Sequence, residues 1–255
     1  MSLELKVIEL GEKSFQEIET IQENLSELRA EEKIGDTILI ASHPPTLTTG
    51  INYEWNIVHV PIESLPKYGI AYYQRKGAGG ATILEPGQVV FYPVINLKGV
   101  NKSSWTYMRT VEEIVYNVAK GMGANVELGK EFNEAVKRDY SCVWHISKSG
   151  KKEKFLAQGY KTSFSNRIIT NGGFSVYVDK RAHKNFELID HCGFNMDKVG
   201  VTSFEEMLGF TPSEENIKNK ILSELKNKLG YTSIIREDGI QQPILEEYQL
   251  MGAAA

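Results

Sequence analysis

Cys192 stands in the segment Asp190-His191-Cys192-Gly193-Phe194, between a strand and the start of a helix. A cysteine attacks as its thiolate, so a nucleophilic role needs a nearby cation to lower its pKa. Lys148, Lys151, Lys152, Lys154 and Lys161 are the ammonium groups on offer, and spacing does not choose among them. The plainer readings are a small buried hydrophobe for the cysteine and a solvated turn for the lysines. Arg75 leads into Gly77, Ala78, Gly79 and Gly80, where backbone without Cβ atoms can approach a ligand and the guanidinium can meet an anion or carbonyl. The run matches neither a phosphate loop nor a dinucleotide fingerprint, and a tight turn is the alternative. His43, before Pro44-Pro45, sits in a loop after a strand, where both functional and purely structural histidines occur. Cys142 and His145 are three apart with no second ligand pair, so no metal and no cofactor are expected.

The elements that must position these residues can be read from periodicity. Ser14 and Glu17 have capping-box spacing, followed by Phe15, Ile18, Ile21, Leu25 and Leu28 at helical intervals. Strands are expected at 37–42, 72–74 and 89–96, with 43–50 as a turn-rich link and a second helix from Ser104. Residues 143–147 and 155–163 read as two arms of a hairpin around Lys148–Lys154, and 167–178 as a strand interrupted at Gly172-Gly173. Two helices follow, capped at Thr202 or Ser203 and at Ser213. Helices at both ends with strands between predict an α+β fold, a mixed β-sheet flanked by helices. One domain is expected over 1–235, with 236–255 as a partly disordered tail.

Composition narrows the function classes. A net charge of −4 over 255 residues gives no basic field for nucleic acid, and no apolar run is long enough for a membrane span. Two cysteines do not make a disulfide scaffold, and the start has no signal-peptide layout. A cytoplasmic setting is expected.

Several segments, in this order, resemble the octanoyl-[acyl-carrier-protein]:protein N-octanoyltransferase family. The family's H-P-P-x-x-T-x-G is matched by HPPTLTTG at 43–50. Its R-G-G-x-x-T-Y-H-G-P-G-Q segment is echoed by GAGGATILEPGQ, which keeps Gly79, Thr82, Pro86, Gly87 and Gln88. G-V-W is echoed by Cys142-Val143-Trp144, K-I-A-x-x-G by KFLAQG at 154–159, H-G-F-A by NGGF at 171–174, and P-C-G by His191-Cys192-Gly193.

The resemblance implies the catalytic-domain fold shared by biotin and lipoate protein ligases, and an acyltransferase with Cys192 as thioester nucleophile and Lys154 as its activating partner. Octanoyl-acyl carrier protein would be the donor. The acceptor would be a lipoyl domain of a 2-oxoacid dehydrogenase, or the glycine cleavage H protein. Substrate binding falls to His43, Arg75, Gly77, Ala78, Gly79, Gly80, Thr82, Leu84, Ala157, Gln158, Gly159, Gly172, Gly173 and Phe174, with Leu47 among the tunnel candidates. Lys148, Lys151, Lys152, Lys180, Arg181 and Lys184 are candidates to dock acidic carrier proteins. The chain departs from the family at Leu84 and Glu85, which replace His-Gly, at Asn171, which replaces histidine, and at His191, which replaces proline. Arg75 aligns without a gap to the arginine of lipoate–protein ligases, which use ATP and no cysteine. An ATP-dependent ligase and a catalytically impaired binding module are the alternatives, and Cys142 is the alternative nucleophile.

Overall fold

The computed structural model describes residues 3–51, 57–76, 80–129, 142–164, 168–190 and 199–238, with only the backbone described at 162–164 and 238. Its centre is a six-stranded mixed sheet. The strands are β1 (Glu4–Glu12), β2 (Asp36–Ser42), β6 (Gln88–Val94), β10 (Leu156–Phe164), β11 (Ile168–Tyr177) and β13 (Ser233–Asp238), in the order β10-β11-β6-β2-β1-β13. The β13–β1–β2 part is parallel, and β2–β6–β11–β10 is antiparallel. A smaller sheet has the order β4-β3-β5, from Ala71–Gln74, Thr46–Thr49 and Ala81–Leu84. A third, β12-β9-β8-β7, uses Gly200–Val201, Lys152–Lys154, Val143–Ile146 and Val126–Leu128.

Among the described residues four α-helices complete the fold: α1 (Phe15–Ala30), α2 (Ser104–Gly121), α3 (Phe204–Leu208) and α4 (Glu214–Leu229). Helix α1 begins with the capping box read from the sequence: Ser14 Oγ accepts from the Glu17 N–H while the Glu17 carboxylate takes the Ser14 N–H at 2.9 Å. Its apolar stripe, Ile18, Leu25 and Leu28, packs on one face of the large sheet with Ile8, Leu39, Val90, Tyr92 and Val94. The other face carries Val7, Ile38, Ile40 and Phe91, covered by Val111, Ile114 and Val115 of α2 and Ile217, Ile221 and Leu225 of α4. Because both faces of β2 and β6 are covered, neither strand shows polar alternation, and each reads as an apolar run. Among the described residues no helix is long and apolar enough to cross a membrane.

Four local readings change. The segment read as a turn contains β3, whose β-branched Thr46, Thr48 and Thr49 suit the central strand of the small sheet. Residues 143–146 pair with Lys152–Lys154 inside the lysine-rich stretch, not with 155–163. Strand β10 crosses instead to the large sheet and pairs with β11 from Leu156↔Val176 to Phe164↔Ile168. Strand β11 runs through both glycines, with Gly172 at φ +113°. The outermost described elements are strands rather than helices: β1 and β13 pair with Glu4 opposite Ser233. Residues 239–255, most of the expected tail, lie outside the described residues.

Candidate active site

A cavity of about 390 Å³ opens between α1, the small sheet and the β10–β11 pair. Leu84 of β5 and Val90 and Tyr92 of β6 form much of its apolar lining, joined by Phe15 of α1 and Phe174 of β11, with Met108 of α2 at one side. Phe174 is held flat against Phe91, with ring centroids 4.8 Å apart and planes 8° from parallel. Such a chamber suits a flexible hydrocarbon chain, each buried CH₂ being worth about 0.8 kcal/mol.

Polar side chains share the lining, and several of them are anchored. Arg75 lines the cavity, with its N–H tied to the Thr49 carbonyl and Nη2 donating to the Gly80 carbonyl at 3.1 Å. Its guanidinium lies over Gly159: a Cβ there would sit 3.6 Å from Nη1. Glu19 of α1 is buried at the wall and accepts from the Tyr73 hydroxyl at 2.6 Å, which with burial pushes that phenol up to about 12. Just outside, Glu23 pairs with Lys76 at 2.8 Å and Lys161 at 3.2 Å, joining α1 to the end of β4 and to β10. Partial burial opposes the charge on Glu23, but the two lysines outweigh it and hold the carboxyl below its usual range.

Of the residues expected at the site, Arg75, Gly80, Thr82, Leu84, Ala157, Gln158, Gly159, Gly172, Gly173 and Phe174 line this one cavity. Cys192, Gly77, Ala78 and Gly79 lie outside the described residues. His43 is not on the lining. It is 1% exposed behind Tyr92, its Nδ1–H donating to the Lys13 carbonyl at 2.7 Å and its Nε2 accepting from the Tyr92 hydroxyl at 2.7 Å. Burial keeps it neutral, with a pKa lowered to about 4. Leu47 points into the main core, and its neighbour Thr48 faces the cavity instead, as strand alternation requires.

Lys154 ends β9, is buried, and lies three residues before Ala157 on the cavity wall. Its carbonyl accepts from the Thr202 N–H at 2.9 Å, and Val201 pairs with it across β12–β9. The chain entering the Cys192 segment is tied as well, the Asp190 N–H donating to the Ile57 carbonyl at 2.8 Å. Cys142 is buried away from the lining, with Sγ 3.8 Å from the Leu156 carbonyl oxygen. Glu85 also faces away, its buried carboxylate holding the Asn185 main-chain N–H at 3.2 Å and side-chain amide at 2.5 Å. Asn171, the other departure from the family motif, lines the cavity.

Sequence reasoning missed the contribution of α1. Glu19 and Gln22 fall on the same helical stripe as Phe15, Ile18 and Leu25, and polar residues on an apolar stripe are a readable signal of a buried polar task. Met108 and Tyr160 carried no comparable signal.

Comparison with known proteins agrees with this geometry. The lipoyl protein ligase A/B catalytic domain family matches residues 16–226. An octanoyltransferase of Desulforamulus reducens is 29% identical over 238 residues, covering 92% of this chain and 96% of that protein. An octanoyltransferase of Chloroflexus aggregans is 32% identical over 222 residues, covering 87% and 93%. In fold, a bipartite lipoate protein ligase from Thermoplasma acidophilum superposes with a TM-score of 0.65 at 14% identity, over 98% of this chain and 92% of that one. The chain belongs to the lipoyl protein ligase A/B catalytic domain family, among its octanoyltransferases.

Proposed function

We propose that this octanoyltransferase takes its acyl group from octanoyl-acyl carrier protein, carries it on Cys192, and delivers it to a lysine of a lipoyl domain or of the glycine cleavage H protein. The Cys192 thiolate attacks the donor thioester carbonyl; a new C–S bond forms, the old one breaks, and the carrier sulfur leaves as a thiolate that takes a proton from the Lys154 ammonium. The acceptor amine then attacks the enzyme thioester. A C–N bond forms, the C–S bond breaks, the amine loses a proton, and the Cys192 thiolate is restored. The first step exchanges one thioester for another; the second makes an amide and drives the sequence forward.

Lys154 stabilises the thiolate as an ammonium and passes protons between the acceptor amine and the leaving sulfur. Backbone N–H groups near Gly159 and Gly172 are the candidates to meet the tetrahedral oxyanion. The acyl chain occupies the cavity under Leu84 and Tyr92. The observation that carries this reading is the placement of Lys154, a buried lysine at the end of β9, two residues before β10 begins and three before the cavity wall at Ala157, Gln158 and Gly159. A single domain over 1–235 and a cytoplasmic location complete the proposal.

The test is an intact-mass measurement after incubation with octanoyl-acyl carrier protein and no ATP. A hydroxylamine-labile octanoyl adduct, absent in Cys192→Ala and present in Cys142→Ala, is the expected result. An adduct that follows Cys142 overturns the assignment of the nucleophile. Octanoate transferred only when ATP is supplied establishes a ligase, and neither activity leaves a binding module.

A further inference from the structure

The mouth of the cavity is crossed by one carboxylate held between two ammonium groups. Glu23, on α1, gives Oε2 to Lys76 at 2.8 Å and Oε1 to Lys161 at 3.2 Å. Lys76 follows Arg75 just past β4, and Lys161 lies on β10 and lines the cavity. The two lysines thus come from separate elements and take different oxygens of the same anion. Their spacing is set for a bidentate anion. A phosphate group presents two such oxygens at a similar separation, and lysine is an ordinary partner for it. Lys76 is largely exposed and Glu23 only partly buried. Surface ion pairs of this kind contribute little, so an incoming anion can take the place of Glu23.

The donor supplies that anion. An acyl carrier protein presents its acyl group as a thioester at the end of a pantetheine arm, and a phosphate joins the arm to the protein. About thirteen bonds separate phosphorus from sulfur, roughly 16 Å when extended at about 1.25 Å per bond. Gly159, proposed above to meet the reacting carbonyl, is two residues from Lys161 along β10, roughly 7 Å. The lysine side chain adds at most about 6 Å. The ammonium therefore lies within about 13 Å of the Gly159 backbone, inside the reach of the arm. The mouth also has the right sign. Arg75, Lys76 and Lys161 stand against Glu19 and Glu23, a local excess of positive charge on a protein whose net charge is −4.

We infer that Lys76 and Lys161 form the binding site for the phosphate of the donor's pantetheine arm, and that Glu23 occupies this site until the donor arrives. The inference rests on the proposed use of octanoyl-acyl carrier protein as donor. A clamp that merely held α1 against β4 and β10 would be weakened by loss of any of the three side chains. An anion-exchange site instead requires opposite signs: losing a lysine weakens the phosphate contact, and losing the Glu23 charge removes its competitor.

The experiment measures the rate of octanoyl-enzyme formation, by intact mass, from S-octanoyl-phosphopantetheine and from S-octanoyl-pantetheine at low salt. The ratio of the two rates cancels any general loss that a substitution brings. In the wild type the phosphorylated donor is expected to react about tenfold faster, with the ratio falling toward one at about 0.5 M salt. Lys76→Met and Lys161→Met are each expected to bring the ratio to about threefold or less, and Glu23→Gln to raise it by about threefold. An active wild type whose ratio is near one overturns the site, as does a Glu23→Gln ratio that falls with those of the lysine variants. A wild type that takes octanoyl from neither compound, nor from octanoyl-acyl carrier protein, overturns the donor reading and the site with it.

Discussion

Gln22 of α1 holds both main-chain polar groups of Gly172: its Oε1 accepts the Gly172 N–H at 3.0 Å, and its Nε2 donates to the Gly172 carbonyl at 2.7 Å. The same Nε2 reaches the Pro93 carbonyl at 3.1 Å, so one side chain ties β11 to β6 just past the point where their pairing ends at Phe174↔Phe91. Gly172 accepts this geometry at φ +113°, and a Cβ there would lie 2.2 Å from the Gly159 carbonyl oxygen. Gly172→Ala is therefore expected to cost about 3 kcal/mol or more. Urea unfolding, with a lowered midpoint and unchanged m-value, is the check.

His43 makes folding sensitive to mild acid. Its folded-state pKa, about 4, lies below the ordinary 6.5, so the unfolded chain takes up a proton first as the pH drops. The stability due to neutral His43 is thus complete above about pH 6.5 and lost progressively down to about pH 4, on the order of 2–3 kcal/mol. Unfolding free energies at pH 7 and pH 4.5 are expected to differ more in the wild type than in His43→Gln by about that amount. Equal differences in the two proteins would remove His43 from the account.

Cys142 is buried in the core, and its Sγ makes a weak contact with the Leu156 carbonyl oxygen. Cys142→Ala is expected to cost roughly 1 kcal/mol of stability and to leave the acyl-transfer rate within about twofold, since a structural thiol contributes packing and not nucleophilicity. Thermal melting and single-turnover transfer on the same preparation separate the two effects.

Leu84 lines the chamber. Filling that space with Leu84→Trp is expected to raise KM for the octanoyl donor by about tenfold or more, with a stability penalty of about 1–3 kcal/mol from overpacking. A donor KM equal to that of the wild type would place the acyl chain elsewhere.

Lys180 and Lys184 stand exposed at the end of β11, beside an Arg181 already paired with Asp179 at 2.6 Å. Lys152, the first residue of β9, is likewise taken by Glu127 at 2.8 Å. Charge reversal at Lys180 and Lys184 together is expected to slow association with an acidic carrier protein by about three- to tenfold at low salt. The effect should fade toward 0.5 M salt, where screening is within about 5 Å. Stopped-flow association rates at the two ionic strengths test it, and a loss that persists at high salt would mean a structural cause.

How much of this was legible beforehand depended on whether the signal was local. The capping residues Ser14 and Ser213 announced their helices because the hydrogen bonds they make are three residues long. Strand β3 was hidden inside a proline- and threonine-rich stretch, since what makes Thr46–Thr49 a strand is its two neighbours, β4 and β5, distant in sequence. The crossing of β10 from the lysine hairpin to the large sheet depended in the same way on β11. At the site, the motif positions from Arg75 to Phe174 could be aligned, but the α1 side of the wall and the Glu112–Gln158 bond arise only from packing.

The pairing of β1 with β13 has a cost during synthesis. Strand β1 lies inside the sheet, between β2 and β13, yet the strand that covers its second edge begins only at Ser233. At roughly 5–20 residues per second a ribosome leaves that edge open for about ten seconds to most of a minute. An open parallel edge is a template for stray strands, and the charges of Glu4, Lys6, Glu9 and Glu12 along β1 keep the nascent chain from offering a uniformly apolar one. Until β13 emerges, this enzyme is a candidate client for whatever shields unfinished sheets.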